Sequence, residues 1–402
     1  MPDASYTYVI VGGGLAGASA VRGIRAVDQD GSILLIAHER VRPYNRPPLT
    51  KDLWFGKKEV EGIFVGKTPA FYDDNRVELR LETTAVALDP RAKVVRDDQA
   101  RTIGYDKLLL ATGGMPRALD IPGGDLAGIY YYRALDDYVT LRPRATAGAT
   151  ATVIGGGFIG SEIAAALHTV GVHVTMIYPD PSLVARVFPE RLGRRLQERY
   201  QERGITILAG DAPTAIELSG STYVTRTKNG QVVGSDLVIA GIGIRPATGL
   251  AEQAGLAVEN GIVVNDRLHT SHPAIYAAGD NASFPYQALG MQTRVEHWDH
   301  ALNMGKQAGR NMAGADEPYH YMPYFFSDLF EFGYEAVGEV DARLDTFADW
   351  TTEGETGVIY YLRDGYVRGV MLCNVWEKLD AARALIQRRE KVSPEELKGA
   401  IS

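Results

Sequence analysis

The chain contains the same short pattern twice, and this duplication constrains its fold more than any other feature. Each copy runs from a β-branched stretch into a glycine-rich turn: Tyr8-Val9-Ile10-Val11 into Gly12-Gly13-Gly14-Leu15-Ala16-Gly17, and Ala151-Thr152-Val153-Ile154 into Gly155-Gly156-Gly157-Phe158-Ile159-Gly160. An Ala-rich stretch and a second apolar run follow, at 32–37 in the first copy and at 173–178 in the second. The pattern predicts two βαβ units in one α/β protein.

The three spaced glycines of each copy suit the binding of a dinucleotide. The first allows a tight turn, the second lets the backbone approach a pyrophosphate, and the third lets helix and strand pack closely. The helix that follows offers free N–H groups and the positive end of its dipole. Glu39 lies 22 residues after Gly17 and Asp180 lies 20 after Gly160, near the expected position of a ribose-binding carboxylate. We therefore predict two dinucleotide sites rather than two glycine turns without a ligand.

Length, charge and cysteine usage narrow the function classes. The chain has 402 residues, which favours two or three domains, and a net charge of −8, which disfavours nonspecific binding to nucleic acid. Cys373 is the one cysteine, so an intrachain disulfide, a thiolate metal site and an iron–sulfur cluster are excluded. We expect no metal, and redox chemistry that depends on a bound cofactor. With no secretory signal and no membrane-spanning run visible, the expected location is cytoplasmic.

The pattern changes beyond residue 320. Two apolar runs, 357–363 and 366–372, flank Asp364-Gly365, a pair suited to a type I′ turn. Residues 377–389 then have helical spacing. We predict a hairpin, a helix and a separate C-terminal α+β domain over 321–402.

Further segments carry motifs of a known family. They are Arg42-Pro43-Tyr44-Asn45-Arg46-Pro47-Pro48-Leu49-Thr50-Lys51, Leu108-Leu109-Leu110-Ala111-Thr112-Gly113, Ile275-Tyr276-Ala277-Ala278-Gly279-Asp280, Arg294-Val295-Glu296-His297-Trp298-Asp299-His300-Ala301 and Phe325-Phe326-Ser327-Asp328-Leu329. Together with the glycine motifs, they resemble the FAD-dependent pyridine nucleotide-disulfide oxidoreductase superfamily. The resemblance covers nearly the whole chain and points to the ferredoxin reductase and apoptosis-inducing factor branch.

The resemblance implies a glutathione-reductase-like fold. It has two Rossmann-like dinucleotide-binding domains and a small α+β C-terminal domain. The implied boundaries are 1–114 with 247–320 for a discontinuous FAD domain, 115–246 for the NAD(P)H domain and 321–402 for the third. Dithiol members of the superfamily use a Cys-x-x-x-x-Cys pair beside the flavin, and this chain has Pro47-Pro48-Leu49-Thr50-Lys51 there. Disulfide reduction by the usual relay is therefore excluded.

The resemblance also implies the site residues. Lys51, Glu162 and His297 are the candidate catalytic residues, with Lys51 as the fixed cation near the flavin and Glu162 as its partner. Glu162 at a helix start and a structural His297 are the plainer alternatives. The implied cofactor-binding residues are Gly12, Gly14, Leu15, Ala16, Gly17, Glu39, Arg46, Lys51, Ala85, Ala111, Thr112, Gly113, Arg117, Asp280, Glu296, His297, Trp298, Gly155, Gly157, Phe158, Ile159, Gly160, Glu162, Asp180, Gly243 and Phe326. Where the family often has tryptophan, this chain has Phe326.

The expected activity is that of an FAD-dependent NAD(P)H oxidoreductase. Asp180 suits the free ribose hydroxyls of NADH and repels the 2′-phosphate of NADPH. Electrons are expected to pass from NADH to FAD and on to an acceptor protein such as a ferredoxin. Two alternatives stay open: an apoptosis-inducing-factor-like NADH-binding redox sensor that acts through partner or dimer association, and a direct quinone or oxygen reductase. A homodimer is compatible with the sequence.

Overall fold

The chain was analysed as a computed structural model, which describes residues 1–66 and 68–401. The strands are β1 (Ala4–Val11), β2 (Ile33–Ile36), β3 (Val77–Arg80), β4 (Ala85–Asp89), β5 (Val94–Asp97), β6 (Thr102–Leu110), β7 (Gly114–Pro116), β8 (Ile129–Tyr130), β9 (Thr150–Ile154), β10 (His173–Tyr178), β11 (Thr206–Ala209), β12 (Pro213–Ser219), β13 (Thr222–Thr227), β14 (Val232–Ser235), β15 (Leu237–Ala240), β16 (Ile244–Pro246), β17 (Ile262–Val263), β18 (Ile275–Ala277), β19 (Ala282–Tyr286), β20 (Met291–Thr293), β21 (Tyr324–Leu329), β22 (Phe332–Gly338), β23 (Asp345–Thr352), β24 (Thr356–Arg363) and β25 (Tyr366–Cys373).

The helices follow the same chain order. They are α1 (Leu15–Arg25), α2 (Ala70–Asp74), α3 (Leu135–Leu141), α4 (Phe158–Thr169), α5 (Glu190–Glu202), α6 (Gly249–Gln253), α7 (Trp298–Met312), α8 (Leu379–Arg388) and α9 (Pro394–Leu397). Short 3-10 turns cover Pro47–Thr50, Val60–Ile63 and Gln287–Leu289. Both predicted βαβ units are present, as β1-α1-β2 and β9-α4-β10.

Contacts group the chain into two units. Among the described residues, the first unit contains 1–45, 60–66, 68–115 and 245–323, and the second contains 46–59, 116–244 and 324–401. The three domains predicted from the sequence stay a prediction. In the part of the chain that the structure describes, no helix is long and apolar enough to cross a membrane.

A parallel sheet forms the core of the first unit. Its strand order is β3-β2-β1-β6, with β18 beside the C-terminal half of β6, while β5 and β4 continue the sheet in antiparallel fashion. Val9 pairs with Leu34 on one side and with Leu108 on the other, and all three are fully buried. Apolar runs without alternation, such as β2, suit strands covered on both faces.

Glycine contacts bring α1 and α7 together in the first unit. A Cβ atom at Gly305 would lie 2.2 Å from the carbonyl oxygen of Ala16, and one at Gly309 would lie 2.1 Å from that of Ala20. Only residues without a Cβ allow the two backbones to approach this closely. The glycine-rich start of α1 is thereby held from both sides, by β1 and by α7.

The second unit also has a parallel sheet as its core, and it adds two antiparallel sheets. Its parallel sheet has the order β11-β10-β9-β15-β8, and Val153 pairs there with Met176 and Ile239, all fully buried. A smaller sheet has the order β12-β13-β14, and the C-terminal sheet has the order β21-β22-β25-β24-β23.

The predicted C-terminal hairpin is formed by β24 and β25. Arg363 pairs with Tyr366, and the residues between them, Asp364 and Gly365, have φ values of +54° and +82°. Positive φ at both positions is what a type I′ turn requires. The predicted helix over 377–389 is α8, which is shorter by two residues at its start and one at its end. Arg389 ends it with a left-handed φ of +51°.

Candidate active site

The first glycine loop has the geometry of a phosphate cradle. Gly12 has a φ of +131°, and a Cβ there would lie 2.0 Å from the carbonyl oxygen of Ala111. A Cβ on Gly17 would lie 2.1 Å from the carbonyl oxygen of Gly12, so Gly17 permits the close packing of α1 on β1. Gly14, by contrast, has no atom within 4 Å of its Cβ position. The loop therefore leaves open space where a pyrophosphate would approach the start of α1, and these residues fit FAD.

The second glycine loop repeats this division of roles. Gly155 has a φ of +117° and would place a Cβ 2.3 Å from the carbonyl oxygen of Gly241. A Cβ on Gly160 would lie 2.0 Å from the carbonyl oxygen of Gly155, whereas Gly157 faces open space. These residues fit the pyrophosphate of NADH at the start of α4.

The two predicted ribose carboxylates have different surroundings. Glu39, which follows β2, is half-buried and accepts a hydrogen bond from the Tyr44 hydroxyl at 2.7 Å. Asp180, which follows β10, is exposed. Both stand at the carboxyl end of the second strand of their βαβ unit, where a ribose is expected.

A polar cluster lies beside the first loop. The side-chain amide of Asn281 donates to the Thr112 hydroxyl at 2.9 Å and to the Leu110 carbonyl oxygen at 3.1 Å. Its own carbonyl oxygen, Oδ1, is buried and without a hydrogen bond in the described residues. A buried unpaired acceptor marks a place where a ligand or water is expected. Asn281 follows the predicted Asp280, and the sequence interpretation passed over it.

The Arg294–Trp298 segment is held by polar contacts within the first unit. Arg294 donates to the Asp280 backbone oxygen at 2.9 Å and pairs with Glu296 at 2.5 Å. The indole N–H of Trp298, the first residue of α7, donates to Asn45 at 2.8 Å. Desolvation lowers the pKa of His297 to about 4, with Asp280 opposing the shift. His297 is therefore neutral at physiological pH and is suited to donate or accept a hydrogen bond.

A buried charged cluster lies in the second unit, at α4. The ammonium of Lys51 lies 3.3 Å from Oε1 of Glu162, and the two side chains are 11% and 9% exposed. Thr50 donates its hydroxyl hydrogen to Oε2 of Glu162 at 2.5 Å, and Ser327 donates to Oε1 at 2.5 Å. The predicted pairing of Lys51 with Glu162 is thus present, although Glu162 stands in the second turn of α4 rather than at its start.

Lys51 has a second set of neighbours on β21. Its Nζ atom lies 3.6 Å from Oδ2 of Asp328 and 4.7 Å from the centre of the Phe326 ring. It is also buried and makes no hydrogen bond of good geometry among the described residues. A buried ammonium that still has hydrogen atoms to donate can stabilise a flavin ring that gains negative charge on reduction. The structure thus brings Lys51, Glu162 and Phe326 together.

Thr50, Ser327 and Asp328 are functional candidates that the sequence interpretation did not assign. A signal was present, since Thr50 lies in the Arg-Pro-Pro-Leu-Thr-Lys element and the other two lie in the aromatic-Ser-Asp segment. At the mouth of the second loop, the Phe158 ring packs edge-on against Phe325 at 5.5 Å.

The other predicted residues are distributed over both units. In the second unit, the Arg117 backbone N–H donates to Gly243 at 2.9 Å, and Arg46 donates to the Arg133 backbone at 2.8 Å. Ile159 is 40% exposed at the start of α4. Leu15, Ala16, Ala85, Ala111 and Gly113 lie in the first unit.

Family comparisons account for most of the chain. The family model for pyridine nucleotide-disulphide oxidoreductase matches residues 6–305, and that for the C-terminal part of apoptosis-inducing factor, mitochondrion-associated, matches 308–356. The anthranilate 1,2-dioxygenase system ferredoxin–NAD(+) reductase component of Burkholderia cepacia is 35% identical over 97% of this chain and 96% of its own length.

Other relatives and one solved structure are similar over comparable lengths. Apoptosis-inducing factor 1 of Dictyostelium discoideum is 33% identical over 96% of this chain and 79% of its own length. The putidaredoxin reductase of Pseudomonas putida is 32% identical over 98% and 94%. A crystal structure of a covalent putidaredoxin reductase–putidaredoxin complex matches with a TM-score of 0.91 and 31% identity, over 99% of this chain and 96% of that one.

Proposed function

Because the chain belongs to the pyridine nucleotide-disulphide oxidoreductase family, we propose that it passes electrons from NADH, through FAD, to a one-electron acceptor protein of the ferredoxin type. The predicted fold class, the enzyme class and the cofactors FAD and NADH are confirmed by these matches. The acceptor and the roles of individual residues are our proposal.

The observation that carries the proposal is the lack of a dithiol. Cys373 is the single cysteine of the sequence, it is fully buried, and burial raises the pKa of its thiol well above the usual range. A buried protonated thiol is a poor nucleophile and cannot relay electrons alone. The electrons of NADH must therefore leave the flavin directly. Among the relatives that match over nearly their full lengths are a ferredoxin–NAD(+) reductase and a putidaredoxin reductase.

The chain's own residues bind and orient the cofactors in this mechanism. The loops at Gly12–Gly17 and Gly155–Gly160 hold the two pyrophosphates, and Glu39 and Asp180 bind the two adenosine riboses. When bound, FAD accepts a hydride from NADH and releases electrons one at a time. Lys51 supplies a fixed positive charge for the reduced ring.

Three further features of the second unit support this arrangement. Glu162, held by two hydroxyl donors, fixes the position of Lys51, and Asp180 excludes the 2′-phosphate of NADPH by charge repulsion. Phe158, packed on Phe325, limits the access of water to the nicotinamide. A Glu162→Ala variant is expected to slow flavin reduction far more than it weakens FAD retention, and equal losses would argue against this role.

The test is anaerobic stopped-flow reduction by NADH, followed by mixing with an oxidised ferredoxin. Fast bleaching of the flavin and fast return of its colour with reduction of the ferredoxin are expected. Slow reduction, with a long-lived charge-transfer band that resists the ferredoxin and oxygen, would instead support the sensor alternative. That alternative has a specific observation in its favour, the match of 308–356 to the C-terminal part of apoptosis-inducing factor.

A cytoplasmic location completes the proposal, since a single reduced cysteine suits a reducing compartment.

A further inference from the structure

Three charged side chains of the second unit lie next to one another and differ in their exposure to solvent. Glu162 is 9% exposed, Lys51 is 11% exposed, and Asp328 is 58% exposed. The Lys51 Nζ atom stands between the two carboxylates, 3.3 Å from Oε1 of Glu162 and 3.6 Å from Oδ2 of Asp328. Among the described residues it makes no hydrogen bond of good geometry to either carboxylate.

The proposed reaction releases one proton, which has to reach the solvent. Oxidation of NADH to NAD⁺ breaks the carbon–hydrogen bond at C4 of the nicotinamide and releases two electrons and one proton. Two one-electron acceptor proteins take up only the electrons. The balance is NADH plus two oxidised acceptors giving NAD⁺, two reduced acceptors and one H⁺. This proton has to reach the solvent through groups of the protein or through water.

We propose that Asp328 is the exit residue for this proton, which passes from the buried Glu162 carboxylate through Lys51 to Asp328 and the solvent. The proposal rests on the proposed function, because it needs one-electron acceptors. For each proton released by the reaction, Glu162 accepts one proton and passes it to Lys51. Lys51 donates a proton to Asp328, and Asp328 releases a proton to water. The three side chains therefore end the cycle with the same charges with which they began it.

The other titratable groups around these three side chains do not offer a second route. Tyr200 and Tyr334 are fully buried, and desolvation raises the pKa of each phenol far above 10, with the Glu162 charge adding to it. Glu335, on the neighbouring strand β22, has a pKa raised by desolvation and by Asp328, and Arg383 opposes this shift. Its Oε2 atom is buried and the residue is half-buried, whereas the Asp328 side chain is 58% exposed.

Proton release after electron transfer tests the proposal. Holoenzyme reduced with one equivalent of NADH is mixed with ferricyanide, a one-electron acceptor, in a weakly buffered solution that contains a pH indicator. For Asp328→Asn we expect proton release at least about tenfold slower than in the parent. Because the enzyme is already reduced when ferricyanide is added, the rate of its reduction by NADH does not enter this measurement. Added imidazole, which carries protons as a small base, should restore the rate.

The matched control is Asp345→Asn, which removes the same charge from an exposed position on β23 of the same sheet. It should release the proton at the parental rate. Release from Asp328→Asn at the parental rate would overturn the proposal, as would slow release that imidazole does not restore. If the parent reduces no ferredoxin yet reacts normally with ferricyanide, the proposed function fails while the exit residue is still tested.

A second measurement uses the protein without its cofactors. Removing the negative charge of Asp328 favours the neutral amine of Lys51, which is the form that reacts with acetic anhydride. Acetylation of Lys51, followed by peptide mass spectrometry, should be faster in apo Asp328→Asn than in apo Asp345→Asn. Equal labelling would show that Asp328 and Lys51 are not coupled, and the proposal would then fail without reference to turnover.

Discussion

Replacing Lys51 by methionine tests whether the carboxylate of Glu162 depends on its cation. The Glu162 side chain is 9% exposed, and the Lys51 ammonium lies 3.3 Å from it. Removing one partner of a buried ion pair costs about 3–5 kcal/mol, because the other charge stays buried. Thr50 and Ser327 still donate to the two carboxylate oxygens, so we expect the lower end of this range. The free energy of unfolding of the second unit should fall by ~3 kcal/mol.

The assay is thermal unfolding followed by near-UV circular dichroism at a fixed excess of FAD, since ligand binding shifts apparent stability. For a unit of this size 1 kcal/mol corresponds to about 2–4 °C, so the midpoint should fall by roughly 6–12 °C. Lys58→Met is the matched control on the same segment. Its ammonium lies 2.9 Å from Asp52, but the two side chains are 48% and 31% exposed. Exposed pairs contribute only about 0–1 kcal/mol.

A double variant completes the test. Lys51→Met combined with Glu162→Gln removes the uncompensated charge, so it should be more stable than Lys51→Met alone. The reasoning is refuted if Lys51→Met loses no more stability than Lys58→Met, or if the double variant gains nothing.

Three other predictions concern the first glycine loop, Asp180 and the two histidines His297 and His300. Gly14→Ala should keep the fold, because its Cβ would meet no atom, but it should lose FAD affinity. Gly17→Ala should lose both the fold and FAD affinity, because its Cβ would lie 2.1 Å from the Gly12 carbonyl oxygen. Circular dichroism measures the fold, and flavin absorbance measures the bound FAD. Asp180→Ala should reduce the ratio of kcat/KM for NADH to that for NADPH, and an unchanged ratio would remove Asp180 from the site. Desolvation lowers the pKa of His297 to about 4 and that of His300 to about 3. In the unfolded chain both histidines bind a proton near pH 6.5, whereas in the folded chain they do not. The free energy of unfolding should therefore decrease as the pH falls from 6.5 towards 4. Equal unfolding midpoints at pH 7 and pH 5 would contradict this.

Sequence patterns predicted those parts of the fold that depend on interactions between residues close together in the chain. The two glycine motifs, the strands beside them and the Asp364-Gly365 turn each depend on residues that are neighbours in the sequence. The turn is confirmed by two positive φ values. The helix expected over 377–389 has shifted limits because Glu377 and Arg389 both adopt left-handed backbone conformations, which spacing alone does not indicate.

Contacts between distant segments were harder to predict. The pairing of Lys51 with Glu162 came from family resemblance and not from spacing. The hydroxyl donors of Thr50 and Ser327 were missed, since they lie 112 and 165 residues from Glu162. Serine and threonine are common in loops and strands of any protein, so their type carries little information until the chain is folded. The buried carboxylate needed such donors, however, and a search for hydroxyls within the quoted motifs would have found both.

The difference between the two copies of the motif also bears on function. Both loops combine a positive-φ glycine, an open glycine and a packed glycine. Their carboxylates differ: Glu39 is half-buried and fixed by the Tyr44 hydroxyl, whereas Asp180 is exposed. A preorganised carboxylate lowers the entropy cost of binding and so suits a cofactor that stays bound. An exposed side chain must be ordered each time a ligand arrives, which weakens binding and speeds release. The same loop geometry thus suits a resident FAD in the first unit and, in the second, an NADH that is exchanged at every turnover.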